Sequence, residues 1–167
     1  SCGGQTQNCI PAPVRLGDVV YCMSGFRGNG LFAISLDARG DVTETDKVLW
    51  KRLRDTPYVP SPLLYGNHLY FLKSNQGLLT CVDARNGNEI IPPTRLDAIN
   101  NIYASPVGAA ERVYVTGRDG TTVVLKQGDK LEVLATNTLE DSIDASFALA
   151  GDSIFARSPS MLYCIGD

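Results

Sequence analysis

Short apolar runs rich in Val, Leu, Ile and aromatic residues recur from Ile10 to Ile165, and Gly, Asn, Asp or Ser bounds nearly every one of them. The stretch from Ser61 to Glu89 shows the pattern most clearly. It reads as three strands separated by the turns Tyr65-Gly-Asn-His68, Ser74-Asn-Gln-Gly77 and Asp83-Ala-Arg-Asn-Gly87. Upstream, Val19-Val-Tyr-Cys-Met, Leu31 to Asp37 and Lys47-Val-Leu-Trp50 repeat the same alternation of strand and turn, with a polar insertion from Ala38 to Asp46. Downstream, Arg112-Val-Tyr-Val-Thr, Thr121-Thr-Val-Val-Leu and Leu131-Glu-Val-Leu-Ala form a third unit. Ser153-Ile-Phe-Ala-Arg157 and Met161 to Ile165 form a fourth. Runs of this kind, bounded by turn formers, are strand signals, and no window carries a 3.6-residue period. The chain is expected to be all-β.

Two anchors show that the units are copies of one plan. Pro13, Pro62, Pro106 and Phe147 stand near the start of a first strand, and Tyr21, Tyr70, Tyr114 and Phe155 stand eight residues later in a second strand. Successive units are offset by 49, 44 and 41 residues. Repeats of this length with several short strands each are the signature of propeller blades. The expectation is a single β-propeller domain or fragment over residues 1–167, of about four blades at 10–50, 59–91, 102–135 and 143–167. The last blade lacks its outer strand. Residues 1–9 carry two Gly and no apolar periodicity, so they are expected to be a connector and not the missing strand.

Composition narrows the function classes. With 44% hydrophobic and 20% charged residues, the chain is an ordinary globular one. A net charge of −3 with scattered Lys and Arg excludes nucleic acid as the expected partner. No apolar run approaches the roughly 18 residues of a membrane span. The chain starts at Ser1 without a leader, so it is expected to be a processed or trimmed piece, and its targeting is open. Of the five cysteines, Cys22, Cys81 and Cys164 sit inside strand patterns, as small buried hydrophobes do. Cys2 and Cys9 flank a polar segment and could bridge. No zinc-loop spacing occurs, and His68 is the only histidine, in a turn expected to face solvent.

The unit resembles the PQQ-like propeller repeat, the family of quinoprotein alcohol dehydrogenases and of the outer-membrane assembly lipoprotein BamB. Ser61-Pro62, Leu69-Tyr70-Phe71 and Leu79-Thr-Cys-Val-Asp-Ala-Arg-Asn-Gly87 carry the resemblance. It implies a propeller, here the C-terminal part of one, and suggests an extracytoplasmic, periplasmic setting. The quinoprotein enzymes also imply a PQQ cofactor held by a vicinal Cys-Cys pair, a stacking Trp, calcium ligands and a catalytic Asp. This chain has no Cys-Cys pair, and its one Trp, Trp50, occupies the strand-end position where the repeat itself places Trp. No cofactor, metal or catalytic residue is therefore expected.

Asp37, Asp83 and Asp119 precede tight turns and read as turn caps. Gly25-Phe-Arg-Gly-Asn-Gly30 lies between two strands, so it lacks the helix N-terminus of a phosphate loop. The candidate binding residues are those on the loops between second and third strands and on the inter-blade connections: Arg27, Tyr58, Asn75, Arg118 and Asp119, with Arg54, Gln76, Asn100, Asn101 and Tyr103 around them. Amides, charges and tyrosines on one loop face suit a protein or peptide partner. The expected function is a non-enzymatic scaffold; the alternative is a fragment of a PQQ-dependent dehydrogenase. Four blades can close as a tight ring, stay open, or pair with a second copy as a homodimer that closes a larger propeller.

Overall fold

In the computed structural model, which describes residues 1–166, the chain folds into four antiparallel sheets, each a simple meander. Blade 1 holds β1 (Val14–Leu16), β2 (Val19–Ser24), β3 (Gly30–Ser35) and β4 (Val48–Arg52). Blade 2 holds β5 (Leu63–Tyr65), β6 (His68–Leu72), β7 (Leu78–Asp83) and β8 (Glu89–Arg95). Blade 3 holds β9 (Val107–Ala109), β10 (Arg112–Thr116), β11 (Thr121–Lys126) and β12 (Val133–Thr138). Blade 4 has three strands, β13 (Ala148–Ala150), β14 (Ser153–Arg157) and β15 (Leu162–Ile165). The fold is a partial β-propeller whose sheets do not close into a ring.

The repeating aromatic marks one register row in every blade. Val14, Tyr21, Ala33 and Trp50 lie abreast, as do Leu63, Tyr70, Cys81 and Ile91. Val107, Tyr114, Val124 and Ala135 make the third row, and Ala148, Phe155 and Cys164 the last. Because side chains alternate across a strand, the rows of blades 1 to 3 face the next blade. Tyr21, Met23, Leu31 and Ala33 bury against Leu69, Phe71, Val82 and Ala84. Tyr70, Leu72, Leu79 and Cys81 bury against Val113, Val115, Val123 and Leu125. The stabilising core thus lies between the sheets and is spent blade by blade.

Polar links stitch the same boundaries. The amides of Ala12, Ser61 and Ser105 donate to the hydroxyls of Ser61, Ser105 and Ser146, each at 2.9 Å. The Tyr21 hydroxyl donates to the Ala84 carbonyl at 2.8 Å, and the Tyr70 hydroxyl accepts from the Gly128 amide at 3.1 Å. Trp50 packs on Tyr21 with ring centroids 5.7 Å apart and donates its Nε1–H to the same Ala84 carbonyl.

Three local expectations change. His68 is not solvent-facing: its side chain is 16% exposed, contacts Asp129 at 2.8 Å and Gln127 at 3.1 Å, and stacks on Tyr70, because the blade 3 hairpin folds over it. The one small basic cluster in the sequence, Lys51-Arg-Leu-Arg54, reads as a solvated strand end, but its Arg52 is buried. It pairs with Glu89 at 2.6 Å and Asp55 at 3.5 Å across the blade 1–2 boundary. The fourth strands also shift. β8 runs through Pro92-Pro93 to Arg95, and β12 begins at Val133, since bulges in both ladders absorb residues that cannot keep register.

Residues 1–9 form a strap on the outward face of blade 1. Gly4 lies on the Phe32 ring, the Gln5 side chain donates to the Cys22 carbonyl, and the Thr6 amide donates to the Ser24 hydroxyl at 2.9 Å. The insertion between β3 and β4 grips the strap from the other side. The Val42 amide donates to the Ser1 carbonyl, the Gly3 amide to the Thr43 hydroxyl, and the Ser1 ammonium to the Gly40 carbonyl. The polar insertion that interrupts the repeat therefore has a local purpose. All five cysteines are free thiols, Cys2 and Cys9 included; of the three expected to be buried only Cys81 is, since Cys22 is half-buried and Cys164 is exposed on the last strand of blade 4.

Candidate functional site, the loop face

The hairpin loops between second and third strands meet the inter-blade connections in a continuous backbone seam. Around loop 73–77, the Ser74 amide donates to Thr56 and the Tyr58 amide to the Ser74 carbonyl. The Ile102 amide donates to Asn75 and the Leu96 amide to Gly77. Around loop 117–120, the Arg118 amide donates to Asn101, Ile143 to Arg118 and Leu139 to Gly120. These bonds satisfy loop backbone that would otherwise cost free energy on burial. They also require close approach. A β-carbon on Gly77 would strike the Ile99 carbonyl, and one on Gly120 the carbonyls of Leu139 and Asp141, so glycine opens these loops onto the third strand.

Side chains on the seam form two clusters of arginine and aromatic groups. In the first, Phe26 and Tyr58 stack with centroids 4.8 Å apart and planes at 26°, and the Arg27 guanidinium stands 5.3 Å from the Phe26 centroid. Arg27 is exposed, adopts a left-handed φ of 54°, and has no carboxylate partner among the described residues. In the second, the Arg118 guanidinium lies 4.1 Å from the Tyr103 centroid and grips Asp144 with two bonds, at 2.6 and 3.0 Å. Its hydrogen bond to Arg118 holds the Asp144 carboxyl below the usual carboxylate range, and the same bond pushes the guanidinium up.

Asn75 joins the clusters. Its side-chain oxygen accepts from the Val59 amide at 3.2 Å, beside Tyr58, while its carbonyl accepts from Ile102, beside Tyr103. Tyr58, Asn75 and Arg118 thus share one seam, Arg27 stands at its blade 1 end, and Asp119 turns inward on its own loop, where its carboxylate accepts from the Thr121 amide at 3.0 Å. Arg54 is taken by Glu89 at 3.0 Å, and Asn100 by Arg95 at 3.2 Å. Sequence reading missed Phe26 and Asp144. An aromatic inside the glycine turn Gly25-Phe-Arg-Gly28 was a usable signal for the first. Nothing local marks the second, which lies 26 residues from its arginine.

Away from the seam, a concavity of about 650 Å³ opens between the strap and the insertion, with Cys2, Phe32, Thr43, Val48, Trp50 and Leu53 among its walls. Among the described residues, no group of three His, Cys, Asp or Glu side chains is placed to hold a metal ion. Between blades 2 and 3, burial pushes the phenol of Tyr70 and the thiol of Cys81 up to about 12 each, so both stay neutral packing groups. The chemistry the seam offers is stacking, cation–π contact and hydrogen bonding.

No family model matches the chain, and no curated protein does. Solved structures do. The chain is similar to the computationally designed Ika4 protein at 13% identity and a TM-score of 0.71, over 99% of this chain and 95% of that one. It is similar to the computationally designed Ika8 protein at 11% identity and a TM-score of 0.61, over 93% of this chain and 45% of that one. The glutaminyl cyclase of Myxococcus xanthus matches at 13% identity and a TM-score of 0.61, over 97% of this chain and 68% of that one. At these identities the likeness is one of fold.

Proposed function

We propose that this chain is a non-enzymatic binding module, a β-propeller scaffold of the PQQ-like repeat type that takes an extended protein or peptide segment along its loop face. The observation that carries the reading is Arg27, an exposed arginine with no carboxylate partner among the described residues, beside a ready-stacked Phe26–Tyr58 pair on a seam of hydrogen-bonded backbone. Exposed arginine and aromatic side chains on a preformed surface are the residue types that dominate recognition hot spots. The Arg118–Tyr103–Asp144 cluster supplies a second, charge-compensated contact further along.

Two observations favour the binding module over the alternative, a fragment of a quinone-dependent dehydrogenase. Trp50 lies with its ring against Gly87 and spends its Nε1–H on Ala84, and no two cysteines are adjacent in sequence.

The test is selection of a displayed peptide library on the immobilised chain, with a Phe26→Ala/Tyr58→Ala variant and an Arg27→Ala variant in parallel. Enrichment of a sequence class on the parent, weakened about tenfold or more in both variants, is the expected result. Enrichment unaffected by either variant, or none on a parent shown to be folded, overturns it.

A further inference from the structure

The two arginines of the seam stand in different charge surroundings. Arg118 lies against the ring of Tyr103, and the connection from blade 3 to blade 4 brings it a carboxylate. That connection is anchored by its backbone as it does so. The Ile143 amide donates to the Arg118 carbonyl at 3.1 Å, and the next residue, Asp144, accepts two bonds from the guanidinium at 2.6 and 3.0 Å. A planar guanidinium and a carboxylate matched in this way fix direction as well as charge.

Arg27 has the aromatic half of this arrangement without the acidic half. Its guanidinium stands 5.3 Å from the centroid of Phe26, which stacks on Tyr58 from the connection between blades 1 and 2. From Leu53 to Pro62 that connection carries one acidic residue, Asp55, and it is taken: Lys73 holds one oxygen at 3.1 Å and Arg52 the other at 3.5 Å. Glu89, the next acid in the same network, is shared by Arg52 and Arg54 at 2.6 and 3.0 Å. The strap also borders the Arg27 loop, where Gln7 pairs with Phe26, and Ser1 to Ile10 include no Asp or Glu. At the other end of the seam the balance reverses, since the blade 3–4 connection carries Glu140 and Asp141 besides Asp144.

We infer that the segment taken along the loop face is acidic at its blade 1 end, with an Asp or Glu side chain closing on Arg27 as Asp144 closes on Arg118. The inference rests on the binding-module reading above and adds the partner's chemistry and its direction. An aspartate within a through-running connection is what the chain itself places on the sister arginine, so the occupant is a side-chain carboxylate and not the carboxylate of a chain end. The direction follows from the charges. Arg27 attracts an acidic residue, whereas Glu140 and Asp141 on the blade 3–4 connection repel one, and like-charge juxtaposition suppresses the reversed orientation.

The experiment selects displayed peptides on the immobilised parent from a library joined to a linker at both ends and from a library with a free C-terminus. An enriched peptide is then synthesised and its affinity measured on the parent and on Arg27→Glu, with circular dichroism to show that both are folded. Expected are an Asp or Glu at one fixed position in both libraries, and a dissociation constant raised about tenfold or more on Arg27→Glu. Replacing that acidic residue of the peptide by Lys should restore binding to Arg27→Glu and weaken binding to the parent. Peptides that need Phe26 and Tyr58 but carry no fixed acidic position overturn the inference and leave the module reading standing. Enrichment confined to the free C-terminus overturns it too, by assigning the carboxylate to a chain end. No enrichment on the folded parent removes both readings.

Discussion

The carbonyl oxygen of Leu139 fills the space that a β-carbon on Gly120 would need, while the Leu139 amide donates to the Gly120 carbonyl at 3.2 Å. One contact therefore sets both the residue type at the loop and the path of the connection from blade 3 to blade 4.

Gly120→Ala should destabilise the fold by about 2 kcal/mol or more, since it adds a steric clash to the strain of a left-handed φ of 82°. Gly151→Ala provides the comparison: its φ is 56° but nothing lies within 4 Å of the added atom. It should cost about 1 kcal/mol. Denaturant unfolding of the two variants would measure the difference, and equal losses would show that the close approach is not tight.

Tyr70→Phe removes the acceptor of the Gly128 amide at the blade 2–3 boundary and should cost about 1 kcal/mol. The reverse change at the matching position, Phe155→Tyr, adds a hydroxyl that meets no further blade among the described residues, so the stability of this chain should move by no more than about 0.5 kcal/mol. Thermal unfolding of both at one concentration checks the pair.

Asp144 contributes through a carboxyl whose folded value lies below its unfolded one. Any stability it adds is complete above the unfolded value of about 4 and is lost as pH falls through the lower folded value. Arg118→Gln should raise the Asp144 carboxyl toward that ordinary value, followed by carboxyl carbon NMR against pH. An unmoved titration would mean that the ion pair does not persist in solution.

Thiol reactivity should follow burial. At neutral pH Cys9 and Cys164, both exposed, should react first with a disulfide reagent, Cys2 and Cys22 more slowly, and Cys81 only on unfolding. Burial holds the Cys81 thiol at about 12, so almost no thiolate is present. Mass spectrometry of timed samples gives the order, and early labelling of Cys81 would contradict the packed blade 2–3 boundary.

Much of the architecture was legible in the residues. The aromatic at Tyr21, Tyr70, Tyr114 and Phe155 marks a real register row, and Ser-Pro at Ser61 and Ser105 marks a real inter-blade ladder. The candidate site was legible in outline only. Tyr58, Asn75 and Arg118 do lie on one seam, but Phe26 and Asp144, which orient two of the charged or aromatic groups, were not foreseen. His68 and Arg52 read as exposed and are enclosed by a hairpin or partners from other parts of the chain.

Strand content, turn positions and blade number followed from the sequence by itself, because alternation, glycine and proline act on the backbone within a few residues of where they stand. Only the tertiary structure decided that the strap covers blade 1 and that the insertion holds it. Those outcomes rest on contacts such as Ser1 with Gly40 and Gly3 with Thr43, between residues far apart in the chain that share no period. Local pattern determines which segments are strands; which faces and edges remain uncovered depends on what the rest of the chain brings to them.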